Sequence, residues 1–338
     1  MGLRLSSTVA LRRNNSLPAS FVINFHTLSN CERTVLTDNN GMRPLHMLLA
    51  LVVVAIWGTN FVVIKIGLRD FPPFLFAALR FVCSALPWLL FIKPPSVRWQ
   101  WLAWFGLLLG AGQFGLLFYA MRADISPGLA SLVVQMQVFF TIGLSVLFFR
   151  ERVSLLPLAG MLLAVCGLSV IAAHIDATVT IIGVGAVLAA GFFWACANMV
   201  VKKAAREASA KIDMLGFMVW SSVFAIPPLV LLSLAFEGFD AGWQAVHHAH
   251  GAAWVAVLWQ ALGNTLFGFA AWNWLLTRYP AAMIAPCALL VPLFGMGAST
   301  LLLGEALPIW KVEAALLVLG GLSVIAAIPL VSKRHGAR

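Results

Sequence analysis

The sequence predicts an all-α integral membrane protein whose ten transmembrane helices form two inverted five-helix repeats. Three observations carry that expectation: a composition too apolar for water, ten apolar runs of spanning length, and a stretch of the first half that recurs in the second. Of 338 residues, 62% are hydrophobic and 10% charged, and the mean hydropathy is +0.95. A soluble domain carries about 25% charged and about 45–50% apolar residues. A core of this size cannot hide the excess, so the solvent around it is lipid. The length suits one domain or two fused halves. The net charge of +10 does not point to nucleic acid, because the bases lie between apolar runs or in the N-terminal segment and form no basic stripe interleaved with aromatics.

Residues 1–41 are rich in Ser, Thr, Asn and Arg and hold no long apolar run. Met42 opens a run that looks like a natural start, so 1–41 is read as an over-extended start, with a disordered tail or an Arg- and Ser-rich transit peptide as alternatives. A spanning helix needs about 20 mostly apolar residues. The first five candidates are 47–67, 72–92, 99–119, 127–149 and 153–173; the second five are 180–200, 214–236, 252–276, 281–303 and 308–331. They divide the chain into a first repeat, 42–175, and a second, 176–333. Short connections leave little mass for a soluble catalytic domain. Lys93, Arg98, Arg150, Arg152, Lys202, Lys203, Arg206, Lys211, Arg278, Lys333, Arg334 and Arg338 fall on one side, against Arg69 and Arg122 with Lys65 near the other. Positive charge marks the cytoplasmic side, which puts both termini inside a bacterial inner membrane. Of the five cysteines, Cys83, Cys166, Cys196 and Cys287 sit in apolar runs and Cys31 in the tail; an odd count without a CxxC pair predicts packing residues, not a disulfide frame or zinc site.

The segment GLSVIAA occurs at 167–173 and again at 321–327. At the same spacing Gly143 matches Gly297, Ser145 matches Ser299, Leu147 matches Leu301 and Glu151 matches Glu305. Trp57 and Lys65 match Trp194 and Lys202 at a shorter spacing, and the difference falls on EGFDAGWQAVHHAHG in the second half. Five helices is an odd number, so the second copy enters the membrane upside down. Inverted repeats are a recurring transporter architecture, with solute held near the midplane.

The runs WGTNFVVIKIGL (57–68), PPFLFAALRF (72–81), PGLASLVVQMQVFFTIGL (127–144), FFWACANMVVKK (192–203) and APCALLVPLFG (285–295), with the two helix-end glutamates, resemble the EamA branch of the drug/metabolite transporter superfamily. Within it the likeness is closest to bacterial exporters of cysteine and O-acetylserine. It covers roughly 42–331. The resemblance implies two five-helix repeats around a central cavity and export of small amino-acid-like metabolites by alternating access. Drug, purine or sugar export within the same superfamily, and a non-transporting membrane sensor or assembly partner, are the alternatives. Arg150 before Glu151 departs from the small residue usual there.

Seven residues are candidate solute contacts: Trp57, Asn60, Arg80, Gln135, Gln137, Asn198 and Asn264. A charge at the bilayer centre costs about 2.5–3.5 kcal/mol on insertion scales, so Arg80 needs a partner. Its fork suits a carboxylate, and a structural arginine bonded to helix carbonyls is the alternative. Trp57 and Asn60 share a helix face, as do Trp194 with Asn198 and Gln260 with Asn264. Gln135 and Gln137, two apart, cannot both face one way in an α-helix. Trp101, Trp104, Trp259, Trp272 and Trp274 read mainly as interface anchors. Glu151 and Glu305 read as structural helix-end residues, with Glu313 the deepest acid. His247, His248 and His250 in an outer connection read as solvated, not as a metal site. No histidine and no paired acids lie in the spans, so no enzyme is expected. No cofactor is expected either; the partners are a small-molecule substrate and the bilayer, with homodimerisation open.

Overall fold

The structure is a computed structural model that describes residues 42–149, 156–175, 179–208, 212–279 and 284–335. The N-terminal segment 1–41 and Glu151 lie outside them. The described residues are helical with no strand. Among the described residues, six helices are long and apolar enough to cross a membrane.

Helix α1 spans Pro44–Gly67, its proline at the first turn, where the missing N–H costs no bond. Helix α2 spans Pro73–Ala85, shorter than the predicted 72–92. Pro87 has no N–H to continue the ladder, and the Trp88 and Leu89 N–H groups both fall back on the Ala85 carbonyl in irregular turns. Helix α3 is Trp99–Ala123 and α4 is Pro127–Phe148. Helix α5 is Leu156–Ala173 and α6 is Ile181–Glu207, capped by the Thr180 hydroxyl on the Gly183 N–H. Helix α7 is Met214–Phe236. A short helix, Phe239–His248, fills the longer connection of the second half. Helix α8 covers 251–278, α9 is Leu290–Leu303, and α10 is Ile309–His335.

Three helices depart from α geometry where they cross the middle of the bundle. Wide π-type turns occupy Gly106–Gly115 of α3 and Trp259–Gly268 of α8. A single tight 3₁₀ turn, Val134–Met136, interrupts α4. Such departures re-aim side chains, and single π-turns cluster at functional sites.

Lipid supplies no hydrophobic force between helices, so small residues that permit close backbone approach set the contacts. A Cβ on Gly106 would collide with the Ser221 carbonyl, and one on Gly110 with Ala225, which holds α3 tight against α7. A Cβ on Gly321 would strike the Gly160 carbonyl, so the helices carrying the two GLSVIAA copies, α5 and α10, lie back to back.

The acids at one end of the bundle act as caps for helices other than their own. Glu237, after α7, accepts the Phe74 and Leu75 N–H groups at 2.6 and 3.1 Å at the start of α2. Glu305, after α9, accepts the Gly128 N–H at 3.0 Å and the Ser126 hydroxyl at the start of α4. Asp124, after α3, accepts the Thr180 hydroxyl at 2.9 Å before α6. Asp70 takes the His250 N–H at 2.8 Å before α8. The first N–H groups of a helix lack internal partners and carry the positive end of its dipole, so a carboxylate serves both needs. Lys65 closes the same end by donating to the Met121 and Arg122 carbonyls at 2.8 and 2.9 Å.

Candidate functional site

A cavity of about 570 Å³ lies inside the bundle. Its deep end is at Ile64 and Leu117, short of the capped face. Its other end reaches Lys202, Ala205 and Met214, where α6 ends and α7 begins. It is therefore closed by the caps and by Lys65 on one face and extends toward the other.

The structure brings six of the seven candidates to this wall: Trp57, Asn60, Gln135, Gln137, Asn198 and Asn264. Trp57 and Trp194, matched between the halves, both line it. Trp57 stands 5.4 Å from the Phe269 ring and 5.2 Å from the Trp272 ring, and donates to the Asn264 carbonyl at 3.4 Å. Trp272 thus joins the cavity wall, an exception to the interface anchoring that is the default for most of these tryptophans. Asn198 donates to Gln137 Oε1 at 3.4 Å and to Thr141 Oγ1 at 3.2 Å.

Gln135 and Gln137 both line the cavity, against the expectation that they diverge. The tight turn between them supplies the reason. Two 3₁₀ steps leave side chains about 120° apart, where two α steps leave them about 160° apart. Gln135 also donates to the Ala288 carbonyl at 3.4 Å. Gln260 and Asn264 show the opposite correction. The two stand four apart in the wide-turn segment of α8, but the Gln260 side chain is drawn to Arg80 and Asn60 behind the cavity surface. Asn264 lines the cavity, and Gln260 points into the wall.

Arg80 is not on the cavity surface. It is fully buried, in a layer behind the wall. Its two terminal nitrogens donate to Gln260 Oε1 at 2.9 Å and Thr265 Oγ1 at 2.8 Å, and its guanidinium carbon sits 3.5 Å over the Phe114 ring. Gln260 exchanges a second pair of bonds with Asn60, at 2.7 and 3.3 Å. A chain thus runs from Arg80 through Gln260 to Asn60, which faces the cavity. Phe114 lines the cavity on one side and covers the guanidinium on the other, a favourable place for a desolvated cation. The sequence marks Gln260 as a polar residue in a span, but only the tertiary contact makes it the link.

No Asp or Glu lines the cavity among the described residues, and Lys202 is its one charged residue there. Lys202 reaches Ser145 Oγ at 3.3 Å. The acids considered from sequence lie elsewhere: Glu313 is exposed on α10, and Glu305 is at the capped face. Lys311, which the sequence reading passes over, is buried and donates to Glu305 at 2.8 Å. His250 is engaged with Asp70 at 2.9 Å. Gln113, also passed over, lines the cavity; an isolated carboxamide between glycines in GAGQFG was the signal available for it.

A multi-pass helical bundle with a central solute-sized chamber defines a membrane transport class. The EamA-like transporter family matches residues 44–173 and 181–327, and the chain belongs to that family. It is 39% identical over 278 residues to a "Probable amino-acid metabolite efflux pump" of Salmonella typhimurium strain LT2, covering 82% of this chain and 93% of that protein. A protein of the same name from Escherichia coli strain K12 is 36% identical over the same shares. An uncharacterized transporter of Bacillus subtilis strain 168, YoaV, is 28% identical over 82% of this chain and 94% of its own. A crystal structure at 19% identity superposes with a TM-score of 0.55 over 84% of this chain and 98% of the other, a likeness of fold.

Proposed function

We propose that the chain is a secondary transporter that exports small amino-acid-like metabolites through this cavity by alternating access. The observation that carries the reading is the chamber itself. It is walled by aromatic faces and carboxamides, contains no acid among the described residues, and is shut at one face while extending toward the other. Carboxamides offer donors and acceptors to a zwitterion without selecting its net charge. The efflux pumps named above, alike over most of their length, favour amino-acid metabolites over drugs, purines or sugars.

In this reading ten helices cross the membrane, as repeats 42–175 and 176–333, with both termini cytoplasmic. The packing of the helices supports the repeat. Exchanging α1–α5 for α6–α10 maps the main neighbours onto themselves. The α1–α9 pair becomes α6–α4, α3–α6 becomes α8–α1, α3–α7 becomes α8–α2, and α2–α7 and α5–α10 are unchanged. Both third helices carry wide turns. The charge bias of the connections makes the capped face the outer one, so this conformation faces inward. Lys65 then latches the outer face, and Lys202, its match, stands at the inner opening, placed to do the same when that side closes. With no carboxylate of the described residues in the chamber, export runs down the solute's own gradient and proton exchange is secondary.

The test is flux in proteoliposomes for cysteine, O-acetylserine, aromatic amino acids, a purine and a cationic dye, each with and without an imposed pH gradient. Saturable cysteine or O-acetylserine flux without a pH gradient is the expected result. Movement of dye or purine alone overturns the substrate class, and strict dependence on the pH gradient overturns the driving force. Absence of all flux favours the sensor or assembly reading.

A further inference from the structure

Among the described residues, one fully buried hydrogen-bonding atom of the cavity wall has no protein partner. Gln113, in the wide-turn segment of α3, is 2% exposed and lines the chamber, and its Oε1 is buried with no donor among the described residues. Other carboxamides of the wall bond one another: Asn60 with Gln260, and Gln137 with Asn198 and Thr141. Buried acceptors in native proteins are nearly always bonded, because leaving one unmade forfeits its hydration with no return. An orphan on the wall of a solute chamber is therefore where the solute completes the bond.

The chemistry of the chamber narrows what that partner is. A zwitterionic amino acid brings an ammonium with donors to satisfy. Among the described residues the wall offers it no carboxylate, so neutral carbonyl oxygens and aromatic faces are placed to receive it. Gln113 Oε1 is such an oxygen without a competing donor, and the Phe114 and Trp57 rings line the same cavity. We propose that Gln113 is the specificity residue that recognises the amino group of the transported solute, its Oε1 accepting a hydrogen bond from the ammonium. The proposal rests on the export reading above and names which part of the solute is read, and by which residue.

The experiment compares cysteine with 3-mercaptopropionate, the same molecule without its amino group, in proteoliposomes of wild type, Gln113→Leu and Gln113→Glu. The half-saturation of cysteine flux and the half-inhibition of that flux by 3-mercaptopropionate are measured for each. Gln113→Leu is expected to weaken cysteine about tenfold, the measure of one hydrogen bond to a charged donor, and to leave 3-mercaptopropionate nearly unchanged. Gln113→Glu keeps the acceptor and is expected to keep the preference for cysteine. Equal weakening of both compounds by Gln113→Leu, or of neither, overturns the proposal, as does a Gln113→Glu protein that behaves like Gln113→Leu. If wild type moves no amino acid, the export reading falls first, and this proposal with it.

Discussion

Arg80 shows how a charge deep in a membrane protein shapes a site it does not touch. Its guanidinium divides its donors between Gln260 and Thr265 and lays its face on Phe114. Lysine has a single point of charge and cannot span that fork. Arg80→Lys is therefore expected to fold yet raise the half-saturation of flux about tenfold, by releasing Gln260 and with it Asn60. Gln260→Leu should reproduce most of that loss, and the double variant should add little to either. Such non-additivity is the signature of residues in one network. Simple additivity in the flux assay would show that Arg80 reaches the solute by another route. The sequence marks Arg80 as a buried cation in want of a partner, and the structure gives it the Gln260 carboxamide and the Thr265 hydroxyl.

At the scale of the helix, the departures from α geometry and the borrowed caps decide which side chains converge. Glu305 is the densest of these caps. Burial acts to raise its carboxyl pKa, but the bonds from Lys311, Ser126 and Ser299 outweigh that and hold it below the ordinary carboxylate value. A depressed folded value means that its stabilisation is complete above the unfolded pKa of about 4.3 and is lost as pH falls through the lower, folded one. Glu305→Gln is expected to lower stability at neutral pH by about 3 kcal/mol, since Lys311 is left buried and unpaired. The difference in melting temperature between the two proteins should close as the pH is taken below about 4. A constant difference across that range would remove the charge from the account. Close packing gives a second expectation. Gly321→Val forces a branched side chain onto the Gly160 carbonyl and should cost about 1–3 kcal/mol, seen as a lower melting temperature in detergent.

At the scale of the whole molecule, the proposed alternating access predicts that the two halves exchange roles between an inward-facing state and its opposite. Lys65 bonds the last carbonyls of α3, a natural place for a cation at a helix C-terminus. Lys65→Met removes that latch and should shift the population toward the outward-facing state; Lys202→Met should shift it the other way. The readout is labelling of a cysteine at Leu117, the deep end of the cavity, by a membrane-impermeant thiol reagent added outside. Labelling should rise in the first variant and fall in the second. Parallel changes in both would contradict a latch in each half.

Composition and the lengths of the apolar runs are enough to determine a lipid-embedded helical protein, because hydropathy is a property of each segment alone. The recurrence of GLSVIAA and of the helix-end glutamate points to duplication for the same reason, since it compares the chain with itself. Six polar or aromatic residues in the spans are legible as cavity candidates, because a polar group in lipid must have a reason to be there. Their arrangement is not legible. Whether Gln135 and Gln137 diverge depends on one tight turn, and whether Gln260 faces solute or wall depends on its bonds to Arg80 and Asn60. Neither the turn nor those bonds leave a periodic trace in a sequence that is apolar on every side. The placement of Arg80 behind Phe114 and the meeting of Lys311 with Glu305 likewise join groups through neighbours distant in the chain or hidden by apolar surroundings. Helix rotation, depth and partner choice are settled by packing across the bundle, and only the tertiary structure contains that information.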